Sequence, residues 1–254
     1  MLSASKIKFI KSLEHKKFRQ ESGFFVAEGV KVVEELLLSD FKIEAIYLTS
    51  DCKLKNSESV ECNIITPKEL ARISFLKTPN KVLALVKIPE YEFDIKSANK
   101  ELILALDNIS DPGNMGTIIR VANWYGISTV LCNNNCVDIF NPKVIQSAMG
   151  AVFRTKSIYS DLYQTLLNIK NLNNSVIYSA ELEGTSLYEI KINNSGIIVI
   201  GNESHGISPA ISSLSDIKFK IPSFPPENKS MESLNAGVAA GIICGEFRRQ
   251  FSFL

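Results

Sequence analysis

The hydrophobic pattern of this chain changes period several times, and each change marks an element. In residues 5–19, Ile7, Ile10 and Leu13, with Phe18 beyond them, recur on one face of a helix and lysines surround them. Short apolar runs at 24–27, 43–48, 60–65 and 82–86 predict strands. Between them Val30, Val33, Leu36 and Leu37 mark a second helix, and Pro67 suits the first turn of a third over 68–73. This alternation describes a small α/β unit. Across 87–100 the periodicity stops and polar residues take over, which predicts a linker.

A denser pattern follows. Leu102, Ile103, Leu104 and Leu106 form an unbroken apolar run, as expected of a strand buried on both faces in a parallel sheet. The turn Asp111-Pro112-Gly113-Asn114 leads into a helix for which Asn114 is the expected N-cap. Ile118, Ile119, Ala122 and Trp124 predict that this helix is largely covered, with Arg120 a lone cation among apolar neighbours. Further strands are expected at 128–131, 155–159, 175–179, 196–200 and 217–221. Helices are expected at 143–149, at 161–169 with Asp161 as cap, and at 234–248. The second half thus reads as a parallel α/β domain, whose ligands bind at the carboxyl ends of strands. The expected organisation is a front domain at 1–87, a linker at 88–100 and a second domain at 101–254.

Composition narrows the function. With 45% hydrophobic and 22% charged residues, the chain is of the ordinary soluble globular kind. No apolar run approaches the ~20 residues of a membrane span. The N-terminus lacks an apolar signal core, so a cytoplasmic protein is expected. Five cysteines without a CxxC pair, and two histidines, fit neither a disulfide framework nor a zinc site. The net charge of +1 conceals an asymmetry: residues 1–87 hold 15 Lys/Arg against 11 Asp/Glu, and the remainder 13 against 16. Near the N-terminus Lys6, Lys8, Lys11, Lys16, Lys17 and Arg19 face only Glu14. That excess suits either a phosphate backbone or a plain solvated helix face.

Three strand ends carry loops that look chemical: DNISDPGNMGTIIR at 107–120, GNESHGIS at 201–208 and IPSFPPENKSMESLNAGVAAGI at 221–242. Alone, Arg120 either caps a carboxylate within the fold or holds an anion near exposed N–H groups. Together and in this order, the three segments resemble the SpoU (TrmH-type) family of RNA ribose 2′-O-methyltransferases, part of the SPOUT superfamily. The first matches that family's asparagine-rich loop and arginine. The second matches its GNE-x-x-Gly turn, and the third its Ile-Pro followed by Ser-Leu-Asn and an alanine-rich helix. Residues 8–37 and 76–89 resemble the substrate-binding domain that often precedes the catalytic one.

The resemblance implies an α/β fold whose C-terminal parallel-sheet domain closes in a trefoil knot, preceded by a small α/β RNA-binding domain. It implies S-adenosylmethionine as cofactor, RNA as partner (ribosomal ahead of transfer RNA), and a homodimer with the site at the subunit interface. Neither metal nor membrane is expected. By resemblance Arg120 is the catalytic arginine, meeting the RNA phosphate beside the target ribose. A cation ~4 Å from a developing alkoxide is worth roughly 4 kcal/mol at an effective dielectric of ~20, so electrostatic activation suits it better than proton abstraction. Asn114 and Asn235 would orient Arg120 and the ribose. Glu203 would cap neighbouring N–H groups or hold Arg120 or its equivalent in the partner chain. Gly201, Asn202, Ile221 and Leu234 would hold the cofactor.

The chain departs from the family pattern in places. It reads Asn235-Ala236-Gly237 where members commonly continue Asn-Val-Ser, leaving Ser233 as the nearest hydroxyl. Its 222–233 segment is longer than usual, with Pro225-Pro226 and Lys229 where the cofactor loop should close. Ser204-His205 replaces a commoner pair of small residues, but GNESHG does not spell the G-x-S-x-G hydrolase elbow. The G-x-G-x-x-G dinucleotide fingerprint is absent. The competing expectation is a non-catalytic RNA-binding or assembly factor that keeps the fold.

Overall fold

The computed structural model describes residues 2–57, 60–225 and 233–252. It divides into two compact units, Met1–Glu90 with Asp138–Arg154, and Tyr91–Val137 with Thr155–Leu254.

The first unit opens with α1 (Ala4–Ser12) and α2 (Lys16–Ser22), not with one helix. The break at 13–15 has a polar cause. The buried Arg19 guanidinium takes the Leu13 and Glu14 carbonyls at 2.8 and 2.9 Å and pairs with Asp138, its Nε 2.7 Å from Oδ2. Arg19 is therefore spent inside the unit and does not belong to the basic surface that its charge suggested. Phe18 is 43% exposed, off the apolar face. Then come β1 (Phe24–Glu28), α3 (Val30–Leu37), β2 (Ile43–Leu48), β3 (Cys62–Ile64), α4 (Pro67–Ile73) and β4 (Val82–Lys87). The sheet order is β1-β4-β2-β3, with only β2 and β3 parallel. Ile10, Leu13, Leu70, Ile73, Leu83 and Leu85 fill one side of it. On the other, Phe25 meets Phe41 and Phe140. Pro67 begins α4 as expected, and Thr66 with Glu69 completes a capping box.

The second unit begins with polar chain that turns apolar before the sheet, where Ala98 is fully buried and Phe93 and Ile95 pack on its core. Its elements are β5 (Leu102–Asp107), α5 (Pro112–Trp124) and β6 (Thr129–Asn133). After α6 (Pro142–Ala148), which belongs to the first unit, come β7 (Lys156–Ser160), α7 (Leu162–Asn173), β8 (Ile177–Ser186) and β9 (Gly196–Gly201). The chain ends with α8 (Pro209–Ser212), β10 (Ile217–Lys220) and α9 (Ala236–Ser252). All six strands are parallel, in the order β10-β8-β9-β5-β6-β7. From β5 the chain builds outward through β6 and β7, then returns on the other side of β5. The strand order therefore reverses between β5 and β9, the position where open α/β sheets form a crevice. Every residue of β5 is buried, as its apolar run predicted.

Helix α5 differs from expectation in three ways. Its N-cap is Asp111, whose Oδ1 accepts from Asn114 N at 2.8 Å, so Asn114 lies inside the first turn. Trp124 is 82% exposed. Arg120 is also exposed. Thr117, Arg120 and Trp124 recur at helical spacing on the exposed side, while Met115, Ile118, Ile119 and Ala122 are buried. The apolar count implied cover all round, but tryptophan does not belong to the covered stripe.

Candidate functional site

The carboxyl ends of β9 and β10 and the start of α9 enclose a cavity of about 930 Å³. Ile200, Gly201, Asn202 and Glu203 wall it from β9, Ile221 and Pro222 from β10, and Leu234, Ala236, Ala239 and Ile243 from α9 and the residues before it. The four residues expected to hold the cofactor, Gly201, Asn202, Ile221 and Leu234, all lie on this wall. Of the 222–233 loop, Pro226 and residues 227–232 lie outside the described residues.

The 201–208 turn is shaped by its glycines and by Asn202. After β9 the backbone doubles back, so a Cβ at Gly201 would collide with the Gly206 carbonyl group. Gly206 takes φ +66°, a left-handed conformation that glycine adopts without strain. Asn202 exchanges two backbone hydrogen bonds with Gly206 at 3.0 and 2.8 Å. Its side-chain oxygen accepts from Ser204 N at 2.8 Å, and its Nδ2 donates to the Asn108 carbonyl at 2.9 Å.

This turn presents Glu203 to α5. Asn114 Nδ2 donates to Glu203 Oε1, and Asn114 Oδ1 accepts from Asn235 Nδ2 at 2.7 Å. Asn235 Oδ1 in turn accepts from Gly237 N and Val238 N at 3.0 and 3.2 Å, which caps the 17-residue α9. The donor direction is fixed at both ends. Helix N–H groups can only donate and an ionised carboxylate can only accept, so each amide must point its nitrogen toward Glu203. A relay of this kind polarises along its length and places a negative charge where the helix dipole favours one. Three of the four residues expected to act in catalysis are thus joined.

Arg120 is not part of the relay. It does not line the cavity, and among the described residues no ion pair reaches it. The expected contact of Glu203 with Arg120 is not made within this chain; Glu203 binds Asn114 instead.

The structure explains the missing family serine. A Cβ at Gly237 would lie 2.8 Å from Thr117 Cγ2. Gly237, Gly241 and Gly245 of α9 face Thr117, Val121 and Tyr125 of α5, one helical turn apart on each side. A Cβ would be crowded at Gly237 and Gly245, and would make an ordinary contact at Gly241.

Two polar residues behind the turn escaped the sequence reading. Asp107, at the end of β5, is fully buried, and Asn133, at the end of β6, donates to it through Nδ2 at 2.6 Å. The signal was present, since a carboxylate closed a run buried on both faces. Close by, Cys136 is held below the usual thiol range by a hydrogen bond from Cys132 and by backbone N–H groups, while the same pairing and burial raise Cys132. No cysteine is in a disulfide, and no metal-binding cluster occurs among the described residues. No helix among them is long and apolar enough to cross a membrane.

Comparison with known proteins agrees with this geometry. Residues 4–84 match the MRM3-like substrate binding domain. The 23S rRNA (guanosine(2553)-2′-O)-methyltransferase RlmP of Bacillus subtilis is 28% identical over 245 residues, covering 96% of each chain. The structure of a TrmH-family RNA methyltransferase from Porphyromonas gingivalis superposes with a TM-score of 0.88 at 34% identity, over 98% of this chain and 99% of that one. The SpoU methyltransferase AviRb of Streptomyces viridochromogenes, solved with AdoMet, shares the fold at a TM-score of 0.85 and 22% identity, over 98% of each chain. Residues 101–245, which contain the cavity, the relay and Arg120, match the SpoU rRNA Methylase family, and the chain belongs to that family.

Proposed function

We propose that this chain transfers the methyl group of S-adenosylmethionine to a ribose 2′-hydroxyl in structured RNA, ribosomal RNA ahead of transfer RNA, as a cytoplasmic homodimer. The observation that carries the reading is the cavity at the carboxyl ends of β9 and β10, with the relay Glu203–Asn114–Asn235 beside it. The cavity suits the cofactor in size, lying at the upper end of the ~300–1,000 Å³ typical of small-molecule sites. Its apolar wall of Ile200, Leu234, Ala239 and Ile243 suits a flat base, and the Gly201–Glu203 backbone and carboxylate suit polar groups. When bound, S-adenosylmethionine supplies an electrophilic methyl group on a sulfonium, already a good leaving group.

What remains for the protein is to position the hydroxyl and favour its ionised form. Arg120 has the charge for this and no partner in its own chain among the described residues. Thr117, Arg120 and Trp124 on α5, with Val238 on α9, form an exposed face that includes a tryptophan 82% exposed. An apolar patch around an unpaired cation suits a second copy of the chain, which would bring its Arg120 to this cavity. There the guanidinium meets the phosphate beside the target ribose and lowers the energy of the developing alkoxide. The front unit, with Lys8, Lys16 and Lys17 exposed, grips RNA shape and phosphates. The C-terminal thread that family membership implies belongs to this reading. No step in it needs a metal.

A second reading is an RNA-binding or assembly factor that has lost the cofactor. Gly237, where the family commonly has serine, favours it, although helix packing accounts for that glycine without loss of function. Calorimetry with S-adenosylmethionine separates the two. Binding, followed by transfer of labelled methyl to RNA and none to a 2′-deoxy target, supports the enzyme. Absence of binding supports the factor.

A further inference from the structure

We infer that Asp107 is a positioning residue, which clamps the 201–208 turn so that Gly201, Asn202 and Glu203 are held in place before cofactor arrives. The inference rests on the cofactor reading above.

Asp107 and Gly201 are register partners on β5 and β9, the two strands flanking the switch point. The Asp107 carboxylate has no exposed surface. A buried carboxylate must be fully hydrogen-bonded, and this one is bonded from three directions. Oδ1 accepts from Asn108 Nδ2 at 2.8 Å and from Asn133 Nδ2 at 2.6 Å, and Oδ2 accepts from Ser208 N at 2.7 Å. The Ser208 bond fixes the far end of the turn. The near end is fixed by the next residue, because the Asn108 carbonyl accepts from Asn202 Nδ2 at 2.9 Å. Asn108 takes φ +60°, a left-handed conformation that turns its carbonyl toward the site. One dipeptide at the end of β5 therefore grips both ends of the loop that carries Glu203. Asn133 closes the arrangement, its Oδ1 accepting from Cys136 N at 3.1 Å.

The donors around Asp107 make the charge necessary. In Asp107→Asn one oxygen becomes an NH₂ group, which at the Oδ2 position opposes Ser208 N and at the Oδ1 position opposes both Asn108 Nδ2 and Asn133 Nδ2. Exchanging the two side chains removes the clash with residue 133, and Asn108 removes the other by turning its side-chain amide over to present oxygen. In the double variant Asp107→Asn with Asn133→Asp, the amide at 107 keeps its oxygen for Ser208 N and donates to the carboxylate at 133.

The test is cofactor affinity by calorimetry, with amide hydrogen exchange of the cofactor-free protein over 202–208. Wild-type binding tests the functional reading itself, and only the variants test the clamp. Asp107→Asn is expected to weaken S-adenosylmethionine binding about tenfold, to speed exchange in the turn and to leave RNA affinity unchanged. The exchanged double variant is expected to restore most of the affinity. Asp216→Asn is the control, since that carboxylate holds Ile177 N and Lys170 at the opposite end of the strands. It is expected to lower thermal stability without altering cofactor affinity. Should Asp107→Asn not fold, Ser208→Pro removes the backbone donor at a φ of −59° that proline favours, and binding is expected to weaken about threefold. Unchanged affinity and exchange in Asp107→Asn, failure of a folded double variant to recover affinity, an equal loss in the control, or unchanged affinity in Ser208→Pro overturns the inference.

Discussion

The two ends of α5 are built in opposite ways. At its start, Asn114 is bonded on both sides, to Glu203 and to Asn235, and Asp111 caps the helix beneath it. About 9 Å further along the axis, at ~1.5 Å per residue, Arg120 stands exposed beside Trp124 with no partner from its own chain among the described residues. The same helix therefore supplies one group that is complete within the chain and one that is not. Groups that shape a cofactor site gain from being fixed in advance, because ordering them on binding costs free energy. On the proposed reading Arg120 meets RNA and a second subunit, and such a group has no reason to be satisfied earlier.

Substitutions at the two ends should separate along this line. The largest effect on turnover is expected from Arg120→Ala. Loss of a charge aimed at the developing alkoxide is worth ~10²–10³-fold or more in methyl transfer. Cofactor affinity and thermal midpoint should stay at wild-type values, and a parallel fall in cofactor binding would place Arg120 in the wrong role. Next is Gly201→Ala, in the turn that carries Glu203 to the fixed end. Its Cβ collides with backbone that cannot move aside, so cofactor binding should be lost while RNA binding by the front unit persists. Titration with each ligand separately reads this out.

Trp124→Glu probes the exposed end by another route. It should shift the protein to monomer in sedimentation and remove methyl transfer without altering cofactor affinity; a dimer of wild-type strength would exclude this face as the interface. The smallest expected effect concerns packing. Gly237→Ser should cost about 1–3 kcal/mol of unfolding free energy, read from denaturant melts, because its Cβ meets Thr117 Cγ2. Thr117→Ser removes that methyl group and should recover part of the loss.

What could be read from the sequence follows the same division. Parallel strands, the basic front unit and the three loops were legible because apolar runs and motif order are local properties. That Gly201, Asn202, Ile221 and Leu234 would line one cavity was legible for the same reason, each standing at a strand end or just before a helix. The relay was not, because Asn114, Glu203 and Asn235 are brought together only by the doubling back of 201–208 and the docking of α9 on α5. Cap assignment failed by three residues at Asn114 because Asp111 and Asn114 are both good caps and Pro112 fits only after the first of them. Arg19 misled because charge counted along the chain cannot show that its guanidinium fills the gap between two helices.

The central claim, that one chain's cavity works with the other chain's arginine, is open to a mixing experiment. Arg120→Ala and Gly201→Val chains are co-refolded and assayed for transfer of labelled methyl to RNA. Each variant alone should be inactive. In the mixture, the heterodimer contains one site with an intact cavity and an intact arginine from the partner, so about a quarter of wild-type activity should return. A mixture as inactive as its components, with heterodimers demonstrably formed, would contradict the account.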